Sequence, residues 1–222
     1  MPDLRRRRLP RRLIQLYVGL VAFAFGEALI IQARLGVMSW DVLHQGLTRH
    51  LGLSIGQWSI IVGALVLLMW IPMREKPGLG TLSNVVVIGA SLDVFLGWVP
   101  APTSLGWRAA LLLLGIAING MATAAYIGAR LGPGPRDGLM TGLVRLTHQP
   151  VGWVRTGIEV SVVFIGYLLG GNLSVGTVLF VLSIGPIVHV FLPRLTVGGP
   201  LPPTDGCDLG QEPTQPGLAD GG

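Results

Sequence analysis

Residues Ala33–Arg49 read ARLGVMSWDVLHQGLTR, and residues Ala129–Arg145 read ARLGPGPRDGLMTGLVR. The two stretches share Ala-Arg-Leu-Gly, then an Asp seven positions after the Arg, then a Gly and a second Arg in register. They lie 96 residues apart. Sliding the chain by that distance pairs residues 12–97 with 108–193 without a gap, and 24 of the 86 pairs are identical. Unrelated apolar stretches should agree at about one position in ten, given ordinary composition. The matches include Arg12/Arg108, Gly19/Gly115, Arg34/Arg130, Asp41/Asp137, Arg49/Arg145, Gly56/Gly152, Thr81/Thr177 and Gly89/Gly185. Composition alone does not align charges and glycines in this way, so the chain is read as a tandem duplication.

The unit that was duplicated is a membrane unit. Half of the 222 residues are hydrophobic and only 12% are charged, against about 25% charged in soluble domains. A soluble body of this size must show much of its surface to water, and this composition has little to show. Six apolar segments follow: Leu13–Ala33, Ile55–Met73, Leu79–Val99, Ala109–Ala129, Val151–Leu169 and Leu173–Leu192. Each is near the ~20 residues that cross a bilayer as helix. Leu13–Ala33 is too long for the core of a signal peptide and has its mate in Ala109–Ala129, so it belongs to the fold.

Between them lie two segments too short to span, 39–51 and 137–148. Ser39 is a candidate N-cap and Gly52 a candidate stop for the first. The expected fold is therefore all-α and membrane-embedded. It has six transmembrane helices in two three-helix repeats, each with a short re-entrant or interfacial helix. Three spans per repeat is odd, so the second half enters the bilayer inverted, as in many secondary transporters. The expected divisions are a basic N-terminus (1–12), repeat one (13–99), a linker (100–108), repeat two (109–194) and a disordered tail (195–222) rich in Pro, Gly and acids.

Charge sets the orientation. With the N-terminus in the cytoplasm, thirteen of the sixteen basic residues are cytoplasmic, and Arg34, Arg49 and Arg108 are external. That asymmetry agrees with the positive-inside rule. It places a multi-pass protein in a membrane with both termini on the cytoplasmic side. The net charge of +5 is read as lipid-facing rather than nucleic-acid-binding. Cys207 is the single cysteine, so no intrachain disulfide or cysteine metal cluster forms. The four His show no metal-ligand spacing. The six Trp fall near predicted segment ends, as interfacial belts do.

Six residues are candidates for a substrate or ion pathway. Asp41 and Asp137 occupy matched places beside Gly- and Pro-rich backbone, which is tolerated at membrane depth only inside protein or beside a cavity. Glu27 and Glu159 sit within apolar segments, where a carboxylate costs about 2.5–3.5 kcal/mol on insertion scales. Their mates are Thr123 and Gly63, so the acids break the symmetry, as a single-copy coupling site would. Arg34 and Arg130 flank the broken segments as supports or boundary anchors. Asp93 lies close enough to a segment end to sit in water. No nucleophile elbow, P-loop, HExxH or CxxC is present, so neither an enzyme nor a cofactor is expected.

Ala33–Gly36, Trp40–Leu47, Gly78–Thr81 and Leu131–Gly142 carry a family likeness. Over about residues 13–194 the sequence resembles the YczE/YyaS/YitT group of bacterial multi-span membrane proteins, most of all the YczE branch. The resemblance implies an integral cytoplasmic-membrane protein and supplies no established activity and no catalytic residues. The expected function is small-solute secondary transport, with the bilayer, an unknown solute and a possible second copy as partners. The alternative is a non-transporting membrane factor that assists another protein.

Overall fold

The computed structural model describes residues 9–197. Those residues form eight helices: α1 Leu9–Ala33, α2 Ser39–Leu51, α3 Ile55–Met73, α4 Leu79–Trp98, α5 Leu105–Gly128, α6 Pro135–Thr147, α7 Val151–Leu168 and α8 Val175–Leu195. No strand occurs among the described residues. Six helices, all but α2 and α6, are long and apolar enough to cross a membrane.

Several boundaries differ from the sequence reading. α1 begins at Leu9, so Arg11 and Arg12, expected in the basic N-terminus (1–12), are helical. α5 begins at Leu105, inside the expected linker, because Ser104 caps it by accepting from the Trp107 N–H. α8 runs to Leu195, and the Val197 N–H donates to the Gly128 carbonyl at 3.0 Å. The expected tail therefore starts after that anchor, and from residue 198 it lies outside the described residues, as do residues 1–8. The N-cap of α2 is Met38 rather than Ser39, and no side chain caps it.

α1 and α5 form the centre, packed through glycine. A Cβ on Gly26 would sit 2.9 Å from the Gly115 carbonyl, and one on Gly115 would sit 2.8 Å from the Gly26 carbonyl. Backbones can approach this closely only where side chains are absent. α4 packs on α1 and α8 on α5. Each short helix crosses to the other half: α2 packs against α7, and α6 against α3.

Contacts between the halves are reciprocal at the 96-residue offset. Arg12 donates to the carbonyls of Ala129 and Arg130, and Arg108 donates to those of Ala33 and Arg34. The Gly80 N–H donates to Leu131 O at 2.8 Å, and the Gly176 N–H to Leu35 O at 2.7 Å. Arg34 and Arg130 end α1 and α5 in the left-handed conformation, with φ of 53° and 52°. That conformation costs a non-glycine residue about 1–2 kcal/mol, and the guanidinium bonds to the same two carbonyls help to hold it.

One packing is not repeated. α3 and α4 meet through Gly56 and Gly89, where a Cβ on Gly89 would lie 2.6 Å from the Gly56 carbonyl. Asp93 locks this contact by accepting from Ser54 Oγ at 2.5 Å and from the Gly56 N–H at 2.9 Å. Asp93 is thus a helix–helix fastener, not a residue left in water. The mates Gly152 and Gly185 face open space, and the places of Ser54 and Asp93 are taken by Pro150 and His189. α7 and α8 stand apart.

Candidate functional site

A cavity of about 180 Å³ lies between the halves. Its walls come in matched pairs. Phe23 and Asn119, Trp40 and Arg136, His44 and Met140, Ser59 and Arg155, Gly63 and Glu159, and Asn84 and Phe180 all line it, and each pair is 96 residues apart. A place that both copies of a position reach lies on the axis relating the copies. The lining is nevertheless chemically lopsided, since most pairs join a polar or charged residue to an apolar one.

The two short helices aim their first turns at this space. Met38 precedes α2, and Gly134 precedes α6, neither with a side-chain cap. Uncapped N-terminal N–H groups carry partial positive charge. Asp41 and Asp137 stand at the third position of these helices, where a carboxylate meets that charge favourably. Their fates differ. Asp137 lines the cavity beside the Gly134 N–H. Its depth in the protein pushes its carboxyl above the ordinary range, against the pull of Arg136, Gly134 and Arg155. Asp41 is fully buried and faces His44 Nδ1 at 3.1 Å instead.

Four charged side chains border the cavity: Arg136, Asp137, Arg155 and Glu159. None is in an ion pair with another within 4.0 Å. Arg136 lies over the Trp40 ring instead, 4.9 Å from its centroid, a contact worth about 0.5–2 kcal/mol. Two cations and two anions are held apart around a space of this size, together with the amides of Asn84 and Asn119 and the Thr123 hydroxyl.

Of the six sequence candidates, Asp137 and Glu159 reach the cavity. Glu27 and Asp41 are fully buried and do not line it, whereas His44, which meets Asp41, and Asn119 do. Arg34 and Arg130 do not line it. They terminate helices, and Arg34 borders a second, open vestibule with Arg49, Gln32, Gln45 and Asn172. The sequence reading passed over Arg136, Arg155, Asn84, Asn119 as a cavity residue, and His44. A signal was present in the repeat alignment: at four of these five positions, Arg155 with its mate Ser59 being the exception, one copy is polar and its mate is not.

Tryptophan also divides more finely than its sequence positions imply. Trp98, Trp107 and Trp153 are 74%, 70% and 76% exposed near helix ends, as expected of interfacial residues. Trp70 is buried, donates to the Pro135 carbonyl at 3.1 Å and fills the space opposite Gly138. It positions the first turn of α6, so it is part of the site's scaffold.

A polytopic helical membrane protein with a polar cavity between its repeats is the class that these features define. Within that class the chain belongs to a family of unknown function, DUF6198, whose profile matches residues 10–193. It is 40% identical over 177 residues to an uncharacterised protein of Haemophilus influenzae, covering 80% of this chain and 81% of that one. It is 37% identical over 180 residues to the uncharacterised membrane protein YczE of Bacillus subtilis, covering 80% and 84%. The uncharacterised protein YyaS of the same organism is 27% identical over 180 residues, covering 79% and 90%. No solved structure matches the chain.

Proposed function

We propose that this protein is a small-solute secondary transporter of the cytoplasmic membrane, built from two inverted three-span repeats with both termini on the cytoplasmic side. The observation that carries the reading is the cavity's position. Matched residues of both repeats line it, one pair of flanking helices is fastened beside it, and the mated pair is splayed. In an inverted duplication, α3–α4 and α7–α8 border opposite ends of the pathway. Closing one while opening the other exchanges the roles of the repeats and moves access across the bilayer.

The chemistry favours a compact solute carrying both charges. Arg136, Arg155 and the first turn of α6 supply positive potential, while Asp137 and Glu159 supply negative. A dry cavity of about 150 Å³ accepts benzene, so about 180 Å³ suits a molecule of similar size. Steady membership of the bilayer and an odd number of spans per repeat support inversion; the basic-residue asymmetry supports the orientation.

The test is uptake by proteoliposomes from a cell extract, followed by an untargeted comparison of the solutes retained. A transporter retains a solute that empty vesicles do not, and Asp137→Asn abolishes retention in folded protein. Absence of any retained solute, together with crosslinking to one specific membrane protein, would establish the assisting-factor alternative instead. Cysteine labelling tests the inversion separately: the loops after Ala33 and after Ala129 must react from opposite faces.

A further inference from the structure

Among the buried polar atoms without a hydrogen-bond partner, five belong to one cluster at and behind the cavity wall, on α1, α2 and α5. They are Glu27 Oε1 and Oε2, Asp41 Oδ2, His44 Nε2 and Asn119 Oδ1. Glu27, Asp41 and Asn119 are fully buried, and His44 is 1% exposed. Most buried polar groups in proteins are satisfied, and each exception calls for a cause. Four of the five atoms here are oxygens, and carboxylate oxygens only accept. What the cluster lacks is a donor.

The Glu27 and Asp41 carboxyls lie against each other. Neighbouring carboxyls disfavour a second negative charge, and one shared proton satisfies both. Asp41 Oδ1 meets His44 Nδ1 at 3.1 Å, and His44 in turn lines the cavity. The other charged group acting on Glu27 is Arg136 of α6. α5 contributes an uncharged amide, Asn119, whose Nδ2 donates to Phe23 O at 3.4 Å, one turn before Glu27. One proton in the carboxyl pair leaves a single negative charge, which Arg136 matches. Among the described residues no three His, Cys, Asp or Glu side chains converge as metal ligands.

We propose that Glu27 and Asp41 form a proton-binding site, filled from the cavity through His44, and that the proton is the coupling ion. This rests on the transporter reading and adds the ion to it. The relay balances at each step. His44 Nε2 takes a proton from the cavity, and Nδ1 gives one to Asp41 Oδ1, which leaves the imidazole neutral in its other tautomer. Asp41 then passes a proton through its second oxygen to Glu27, and the His44 ring resets. The mated place in the second repeat holds Thr123 and Met140 in place of Glu27 and His44, so the ion site exists once.

Infrared spectroscopy of the full chain in vesicles tests this without knowing the solute. At neutral pH an exposed Glu, with a pKa of about 4.3, shows no protonated carboxyl band. The wild type must show one. Glu27→Gln must remove it, and Asp41→Asn must shift it, so that either variant serves if the other fails to fold. His44→Phe must keep the band and slow its exchange in heavy water on the order of 100-fold, the size of effect that removing one proton-transfer group has. A purely structural histidine would leave that rate unchanged. Absence of the band overturns the proposal. So does its loss when sodium chloride replaces N-methylglucamine chloride at equal ionic strength, because sodium is then the occupant. If the band behaves as stated while no solute is ever retained, the proton site stands and transport is what fails.

Discussion

α3 and α4 are fastened together, while α7 and α8, their mates by descent, are not. The glycines that permit close approach are present in both pairs, Gly56 and Gly89 in the first and Gly152 and Gly185 in the second. What differs is the fastener. Ser54 and Asp93 bridge the first pair. Pro150 and His189 stand in their places in the second and make no such bond. Glycine pairs make a helix contact available, and polar groups at the ends decide whether it is occupied. A second fastener follows the same division. Arg145 pairs with Glu75 at 3.1 Å and donates to the Met73 carbonyl. Its mate Arg49 faces an open vestibule, and Gly171 occupies the place of Glu75.

The most severe way to break this comparison is to fill the glycines. A side chain at Gly56 would overlap the Gly89 carbonyl, whereas one at Gly152 meets nothing. Gly56→Val should lower stability by about 3 kcal/mol or more, as overpacking between rigid backbones does. Gly152→Val should change it by about 0.5 kcal/mol or less. Thermal unfolding in detergent measures both, and equal losses would mean that the two helix pairs pack alike.

Next in size is removal of the fastener. Asp93→Ala leaves the Ser54 hydroxyl and the Gly56 N–H without their acceptor, which should cost about 1–3 kcal/mol. It should also make a cysteine placed at Ser59 react faster with a thiol reagent. Grafting the bond sharpens the same point. Pro150→Ser with His189→Asp should draw α7 and α8 together and slow the labelling of a cysteine at Ile158. Unchanged labelling would show that this polar pair is insufficient to close the gap.

Smaller still are the reciprocal hydroxyls. Thr81 Oγ1 donates to the Pro133 carbonyl at 2.7 Å, and Thr177 Oγ1 accepts from the Val37 N–H at 3.1 Å. Thr81→Val and Thr177→Val should each lose about 1 kcal/mol, nearly equally, because both bonds join the halves near their reciprocal loops. A lesser effect belongs to Arg145→Ala. Its side chain is 55% exposed, and exposed ion pairs contribute about 1 kcal/mol or less. Arg49→Ala should lose less again.

Much of this molecule could be read from the residues. Hydropathy and length located six spans, because lipid demands uninterrupted apolar helix. The repeat alignment also found the broken segments, since Gly36 and Gly132, with φ of 130° and 136°, hold conformations that side chains disfavour. It placed Asp41 and Asp137 together as equivalent. Only the folded chain separates them, sending Asp137 to the cavity and Asp41 to a buried contact with His44.

Sequence alone determined the number of spans, the duplication and the places where backbone must turn, because each depends on residues near one another in the chain. Tertiary structure decided which side chains share the cavity, that Trp70 is scaffold and Asp93 a fastener, and which pair of helices is closed. Those outcomes depend on the crossing of α2 to α7 and α6 to α3. No local pattern encodes that exchange, because it is set by which glycine-bearing backbones can approach and which polar groups are waiting when they do.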